Sequence, residues 1–463
     1  MKQTTKALLG LVVLLAVAGV VGGAALWTGK DEAKKTEARE KEEKFFDFDK
    51  AHVKVLRLTR AGQPMVQVEK GDKGWQLTQP VQAKADDAIV DPLLTSLATL
   101  KQKKQLDGET DLKSFGLDKP ALDVSVKLDD GKEEGLQIGM ENPFDSTLYA
   151  KKQGDPAVKV IEGFRKAAFD KSAFDLRDKK VAGLPDGADV QRVEVTSIAS
   201  PYTLEKNGTA WKTNGQAADT ATADTVTSAL KNLRATGIGA EASSNLSQFG
   251  LDKPSAVAKV TAGSATRTLK IGQSMGKTYA MRDDSPVIYE VAAQILTDID
   301  KQPFDLENKQ LFHVDREALR KAIFESPAGK VEIARSKTSP ADGGVSEEVF
   351  TVVAPKQGPA KKWKTSSTLY AVSSLRAAAF DGPVPAAKDL KKYGLDKPKV
   401  VTFLGEGDKV LLHLRVGAEK DGKRYALADG FDKLVRVDKG IVDDFPWNVS
   451  DALEPPPTPQ ASK

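Results

Sequence analysis

The sequence predicts an α+β protein: three tandem repeats of a mixed domain, each with a mainly antiparallel sheet and one principal helix, preceded by a single transmembrane helix. Three observations carry that prediction. A hexapeptide, "FGLDKP", stands at Phe115–Pro120 and Phe249–Pro254 and returns at Tyr393–Pro398 with Tyr in first place, the copies starting 134 and then 144 residues apart. That period is the length of a small domain rather than of a solenoid repeat. Around each copy, runs alternating apolar and polar residues give way to a helical apolar pattern and then return. The chain also opens with a long stretch free of charge.

That stretch is Ala7–Trp27, 21 residues after a short tail at 1–6. At 1.5 Å per residue it spans about 30 Å, the thickness of a bilayer's hydrocarbon core. A cleaved signal peptide is the competing reading, since Lys2 and Lys6 precede the run and Ala16-Val17-Ala18 forms a small-residue cleavage site. The run continues past that site to Trp27, a residue suited to the membrane interface, which favours an uncleaved anchor. Gly19 and Gly23 form a small-xxx-small pair of the kind that brings helices together. Six bases follow the span (Lys30, Lys34, Lys35, Arg39, Lys41 and Lys44) against two before it, which taken alone favours a cytoplasmic body. A long domain behind a short tail is translocated largely regardless of charge, so the body is placed outside the cytoplasm. Within 28–50, expected as a charged helical stalk or linker, acids and bases interleave from Asp31 to Lys44 with Asp31/Lys35, Glu37/Lys41 and Glu40/Lys44 at i,i+4.

Modules are expected at 51–178, 188–311 and 312–452, followed by a Pro-rich disordered tail at 453–463. Ahead of each hexapeptide stand a Trp (Trp75, Trp211, Trp363) and alternating runs such as "VKVLRLTR" from Val53 and "QRVEVTS" from Gln191, read as half-buried strands. A helix follows, with Ile89, Leu93, Leu94, Leu97 and Leu100 on one face in the first module and matching patterns from Ala223 and Ser366. After the hexapeptide, two strands lead to Ile138-Gly139, Ile271-Gly272 and Val416-Gly417, and then to Tyr149-Ala150, Tyr279-Ala280 and Tyr425-Ala426. The hexapeptide itself reads as a folding device. Its aromatic and Leu plug the core where helix meets sheet, Gly supplies a positive φ, Asp accepts from nearby amides in an Asx-type turn, and Pro starts the next strand behind an extended Lys. The competing reading is a ligand site centred on the Asp and Lys, repeated three times.

Composition removes several chemistries. A net charge of +4 from 69 bases and 65 acids is too dispersed for a nucleic-acid binder, and the absence of Cys excludes disulfides, thiolate catalysis and a lipidated-cysteine anchor. "GQSMGKT" at Gly272–Thr278 has three residues between its glycines where a phosphate-binding loop needs four, so a hairpin turn is expected. Ser228–Lys231, "SALK", has Ser-x-x-Lys spacing but lies in the expected helix. His52, His313 and His413 stand far apart, and Asp86-Asp87 and Asp283-Asp284 read as helix-start and hairpin residues. No catalytic, cofactor-binding or metal site is assigned.

The hexapeptide, the strand pair ending in Ile-Gly, the Tyr-Ala and the single amino-terminal span together resemble the domain of unknown function 4340 family, as three successive units over Lys50–Leu453. The third unit departs by the insertion "KTSPADGGVSEE" before Trp363 and by Val416 in place of Ile. The resemblance implies a membrane-tethered protein without assigned catalysis, often encoded beside ABC transporter components of the gliding-motility-associated type, and brings no site residues with it. The expected function is therefore a non-catalytic interaction or scaffold protein of the bacterial inner membrane, bound to the membrane through residues 7–27, with three periplasmic modules facing an ABC transporter or another membrane protein. An extracytoplasmic binder of cell-wall glycan or peptide is the alternative, and an enzyme the less favoured one.

Overall fold

The structure, a computed structural model, describes residues 43–196, 200–338 and 347–455. The expected span Ala7–Trp27, the stalk up to residue 42 and the tail from residue 456 lie outside them. Among the described residues no helix is long and apolar enough to cross a membrane.

In the first module, nine strands form: β1 (Val53–Arg60), β2 (Val66–Gly71), β3 (Gly74–Gln79), β4 (Ala83–Lys84), β5 (Lys104–Leu106), β6 (Leu122–Leu128), β7 (Glu133–Glu141), β8 (Leu148–Lys152) and β9 (Val158–Ile161). They pair antiparallel in the order β4-β3-β2-β1-β6-β7-β8-β9-β5. Side chains alternate across the pleat, so β6 buries Leu122, Val124, Val126 and Leu128 and turns Asp123, Ser125 and Lys127 the other way. Two more nine-stranded sheets, over 190–291 and 321–438, repeat the order. The threefold antiparallel sheet read from the sequence is thus present.

Each module has one twelve-residue helix, at Asp87–Ala98, Thr220–Lys231 and Lys362–Ser373. The buried faces follow one i, i+3, i+4, i+7 template: Val90, Leu93, Leu94, Leu97; Ala223, Val226, Thr227, Leu230; Thr365, Thr368, Leu369, Val372. Ile89, expected on that face, is exposed, because the stripe is set by Val90, one residue or about 100° round the helix. Leu100 is buried just beyond the helix end.

Two further expectations are corrected. The helical stalk does not run to Lys50: Lys44 bridges Lys101, Asp49 caps a single turn of 3₁₀ helix, and Phe45 and Phe46 are among the most buried side chains of the first core. Trp363 is not the counterpart of Trp75 and Trp211. Those two lie in strands and are buried, whereas Trp363 sits in the first turn of its helix, 83% exposed. Phe350 takes the equivalent place: its carbonyl accepts from Ala360 as those of Trp75 and Trp211 accept from Ala85 and Ala218. The Trp indoles donate to Asp91 (3.3 Å) and Asp224 (2.9 Å) at the fifth helical position, where the third module, with no indole to satisfy, has Ser366.

By its contacts the chain divides into two units. One comprises residues up to Val181 together with Arg234–Ala242 and Val287–Val291; the other comprises Ala182–Leu233, Ser243–Pro286 and residues from Ala292 onward. Each contains one joint between sheet modules, and the joints share a plan. In the first unit, the Leu176 carbonyl accepts from Asp86, Arg177 bridges Ala85 and Lys180 bridges Arg234. In the second, Leu306 accepts from Asp219, Glu307 bridges Ala218 and Gln310 bridges Arg376. A short segment thus adds itself to the helix start of one module and the helix exit of the next. An ion pair locks each joint: Asp86, which caps the helix Asp87–Ala98, lies 3.3 Å from Arg234, and Asp219, which caps Thr220–Lys231, meets Arg376. In the third module the capping place is Lys361, whose ammonium donates to the Ser450 carbonyl at 2.7 Å.

Burial works to raise the Asp219 carboxyl, but the Thr222 amide and hydroxyl and the Arg376 guanidinium outweigh it and hold it below the usual carboxylate range. Asp219→Ala removes both the cap and the guanidinium's partner and should lower unfolding stability by about 1–2 kcal/mol, read by urea denaturation of the full chain. Asp219→Asn keeps a capping oxygen and should cost less. A group whose folded pKa is depressed stabilises above its unfolded value and loses that contribution as pH falls through the folded one, so the Ala penalty should fade below pH 3.8.

Candidate functional site

The hexapeptide is built from the backbone outward. A short 3₁₀ helix runs into each copy as far as its aromatic residue and is capped by Gly116, Gly250 or Gly394, at φ 64°, 67° and 65°. Positive φ is accessible to Gly without the steric cost a side chain brings. Space is a second demand: a Cβ on Gly250 would come 2.4 Å from the Gln273 carbonyl oxygen, and one on Gly394 2.7 Å from the Ala418 nitrogen. The strand glycines are constrained reciprocally. A Cβ on Gly139, Gly272 or Gly417 would lie 2.1 to 2.2 Å from the carbonyl oxygen of Phe115, Gly250 or Tyr393. Turn and strand are in backbone contact, which accounts for both glycines and for their fixed spacing.

The other landmarks close around this contact. Phe115, Phe249 and Tyr393 meet Tyr149, Tyr279 and Tyr425 edge-on, at centroid distances of 4.8, 5.1 and 5.0 Å. Leu117, Leu251 and Leu395 are buried. The expectation that these residues plug the core between helix and sheet is corrected in its location. In the third module Leu395, Tyr425, Leu427 and Leu434 form a cluster of their own, while Ala426 and Ala428 of the same strand join the main core. Alternation along a strand puts that small cluster on the face opposite the main core. Each dipeptide landmark is therefore one residue for each face: Ile138, Val416, Ala150 and Ala426 to the main core, Gly139, Gly417, Tyr149 and Tyr425 to the hexapeptide.

The charged pair inside the hexapeptide behaves otherwise. Asp118-Lys119, Asp252-Lys253 and Asp396-Lys397 are exposed in all three copies. The expected Asx-type turn does not form, since none of the three carboxylates accepts a hydrogen bond from another described residue. Folding uses the aromatic, Gly and Leu and leaves Asp and Lys to solvent.

The remaining candidates are held apart. Gly272–Thr278 is the hairpin expected, with Met275 and Gly276 at positive φ between paired Ser274 and Lys277. Ser228 and Lys231 share a helix, but the lysine donates to the Ala188 carbonyl at 2.6 Å. His52 pairs with Asp129 at 2.8 Å, which raises the imidazole above its ordinary value, and His413 lies 3.1 Å from Asp429 without the alignment of a hydrogen bond. Asp86 caps a helix while Asp87 accepts from the Trp75 amide; Asp284 pairs with Arg267 and Arg282. Among the described residues no group of three or more His, Cys, Asp or Glu is placed to hold a metal ion. A cavity of about 330 Å³ lined by Glu317, Arg320 and Arg335 has its charges committed, Arg335 to Glu317, Glu348 and the Arg316 carbonyl. Another of about 350 Å³ contains the ion pair of Lys433 with Glu307.

Sequence reasoning did not find the joints. Their signal is the repeated Phe-Asp-Leu at Phe174–Leu176 and Phe304–Leu306, where Asp175 and Asp305 cap the short helices that lead into them.

Fold and surface define a tandem-repeat protein of three sheet modules held by one recurring glycine contact. The family model described as "Domain of unknown function (DUF4340)" matches residues 75–246, 238–383 and 351–458, and the chain belongs to that family. No curated protein and no solved structure matches it.

The glycine contact separates backbone from charge. Gly250→Ala and Gly272→Ala should each destabilise the protein by about 1–3 kcal/mol, the second even though its φ suits any residue, while Asp252→Asn should leave thermal unfolding unchanged. Equal melting of wild type and Gly272→Ala would contradict the backbone contact.

Proposed function

We propose that the protein is a non-catalytic scaffold, anchored in a bacterial cytoplasmic membrane by residues 7–27, that presents its modules on the extracytoplasmic side to a membrane partner, an ABC-type transporter of the gliding-motility-associated class. The reading is supported by how the repeated residues are used. In each module the aromatic, Gly and Leu hold the turn to the sheet, and what remains facing solvent is the same Asp-Lys pair, written three times without a hydrogen bond or ion pair to another described residue. A repeated exposed pair suits recognition of a protein surface, whereas catalysis needs groups converging on one point. Full-length protein isolated from membranes in mild detergent should bring transporter subunits with it. Replacing the three pairs by Asn-Gln should lose them while leaving the melting temperature unchanged; recovery of the chain without any membrane protein would sink the reading.

One observation favours the alternative of cell-wall glycan binding. Trp363 and Tyr370 stand seven residues apart on one face of the helix Lys362–Ser373, 83% and 61% exposed. Aromatic faces at two-turn spacing, roughly 10 Å, are suited to stacking on sugar rings. On that reading, full-length protein sediments with purified peptidoglycan and Trp363→Ala releases it; sedimentation unaffected by Trp363→Ala removes the support.

A further inference from the structure

We infer that the first module makes a second contact with the lipid bilayer, through Phe144 and Phe164, beside the point where residues 1–42 join the described chain. The inference rests on the membrane-anchored reading above.

Both rings are unpartnered by the core, Phe144 being 95% and Phe164 69% exposed. Phe144 stands in the β7–β8 connection and Phe164 just after β9. These two segments are packed together: a Cβ on Gly163 would fall 1.9 Å from the Ser146 carbonyl oxygen, and Leu148 pairs with Ile161 at the base of both. Large apolar side chains at neighbouring tips are the kind of surface that soluble domains avoid and membrane interfaces accept.

The three modules differ at this place. Tyr149 follows Gly139 by ten residues, whereas Tyr279 follows Gly272 by seven and Tyr425 follows Gly417 by eight, so the first module has the longest connection, and Phe144 rides on it. Phe164 precedes the core residue Phe169 by five; the places five before Ile299 and Phe445 hold Gln294 and Gly440. The aromatic pair belongs to the module that follows the apolar run Ala7–Trp27 and to neither of the others.

The backbone brings the chain in at the same end. The Glu43 carbonyl accepts from the Gln102 amide at 2.7 Å, and the next amide, Lys103, donates to Val160, one residue short of the β9 terminus. Lys101 lies 3.5 Å from Glu43, Lys103 lies 3.2 Å from Glu162, and the Lys103 charge acts on Asp145 in the Phe144 connection. Residue 43, Phe164 and Phe144 thus share one end of the sheet, and only residues 28–42 separate that end from the apolar run. The segments that carry the rings and the adjoining Lys103 hold three bases (Lys103, Arg165, Lys166) and three acids (Glu141, Asp145, Glu162), a balance that leaves apolar insertion as the driving term. The Arg165 guanidinium, 5.1 Å above the Phe164 ring, is placed to meet a lipid phosphate as that ring enters.

The absence of Cys makes the test direct. Full-length protein carrying Phe144→Cys, Phe164→Cys or, as a control, Met275→Cys is labelled with an environment-sensitive fluorophore and reconstituted into vesicles of phosphatidylethanolamine and phosphatidylglycerol. Met275 is equally exposed, at the hairpin tip of the second module. The expected result is blue-shifted emission at 144 and 164, quenched by lipids spin-labelled at headgroup depth, with water-like, unquenched emission at 275. Water-like emission at 144 and 164 in protein that floats with the vesicles overturns this contact and leaves the anchored reading standing. A blue shift that follows protein density and escapes the lipid quencher assigns the rings to a second copy of the chain and also overturns it. Failure of the chain to float removes both readings.

Discussion

Two glycines, one in a turn and one in the strand against which that turn's backbone rests, organise each module. The chain leaves its helix, forms an edge strand, and must then cross to a central strand beside β1, and the turn that brings it back rests on the adjacent strand with no room for a side chain on either partner. Contact of this kind is a stiff constraint. Protein interiors are close-packed, so an added methyl group is met by displacement of backbone rather than of a pliable side chain. Once Gly250 is seated against Gly272, Phe249 falls on Tyr279, Leu251 is sealed from water, and Ile271 and Ala280 are left pointing to the other side. The landmarks that recur in the sequence are the corners of this single arrangement.

Much of this was legible before any coordinates. Period-two runs located the strands, a 3.6-residue period located the helices, and Gly before Leu in the hexapeptide required the left-handed turn that φ values of 64° to 67° confirm. What could not be read was face. A pattern shows that Tyr425 and Ala426 alternate but not which of two apolar clusters each joins, and the placement of the hexapeptide against the main core was wrong for that reason. Trp363 misled because a Trp at about the right spacing outweighed the humbler Phe350, whose role depends on backbone pairing. Phe45 and Phe46 were lost inside a run of charges that reads as a stalk, and the joint residues Asp219 and Arg376 are 157 positions apart, beyond any local signal.

The division of labour within the hexapeptide bears on function. Three of its residue types are fixed by sterics, and two, the Asp and Lys, have no hydrogen-bond or ion-pair partner among the described residues to require them. The proposed interaction role draws on that remainder: a residue that folding does not demand, yet that stands in every copy, is open to a partner's chemistry. The third module adds Trp363 and Tyr370 to its helix and the first adds Phe144 and Phe164 to its tips, so the copies share a scaffold and differ in what they offer outward.

The joint segments carry a consequence for how such a chain can be divided. Since 306–311 hydrogen-bonds to the module before it and to the module after it, a cut there leaves each sheet its own nine strands but strips one neighbour of its joint hydrogen bonds. The repeating object is better likened to a roof tile, complete in itself but overlapping the edge of the next. The family match running from Trp75, inside one sheet, to Leu246, inside the next, spans such a joint. Duplication of a gene segment would therefore give a module that stitches to its neighbours only if the copied length carried a joint segment along with the nine strands.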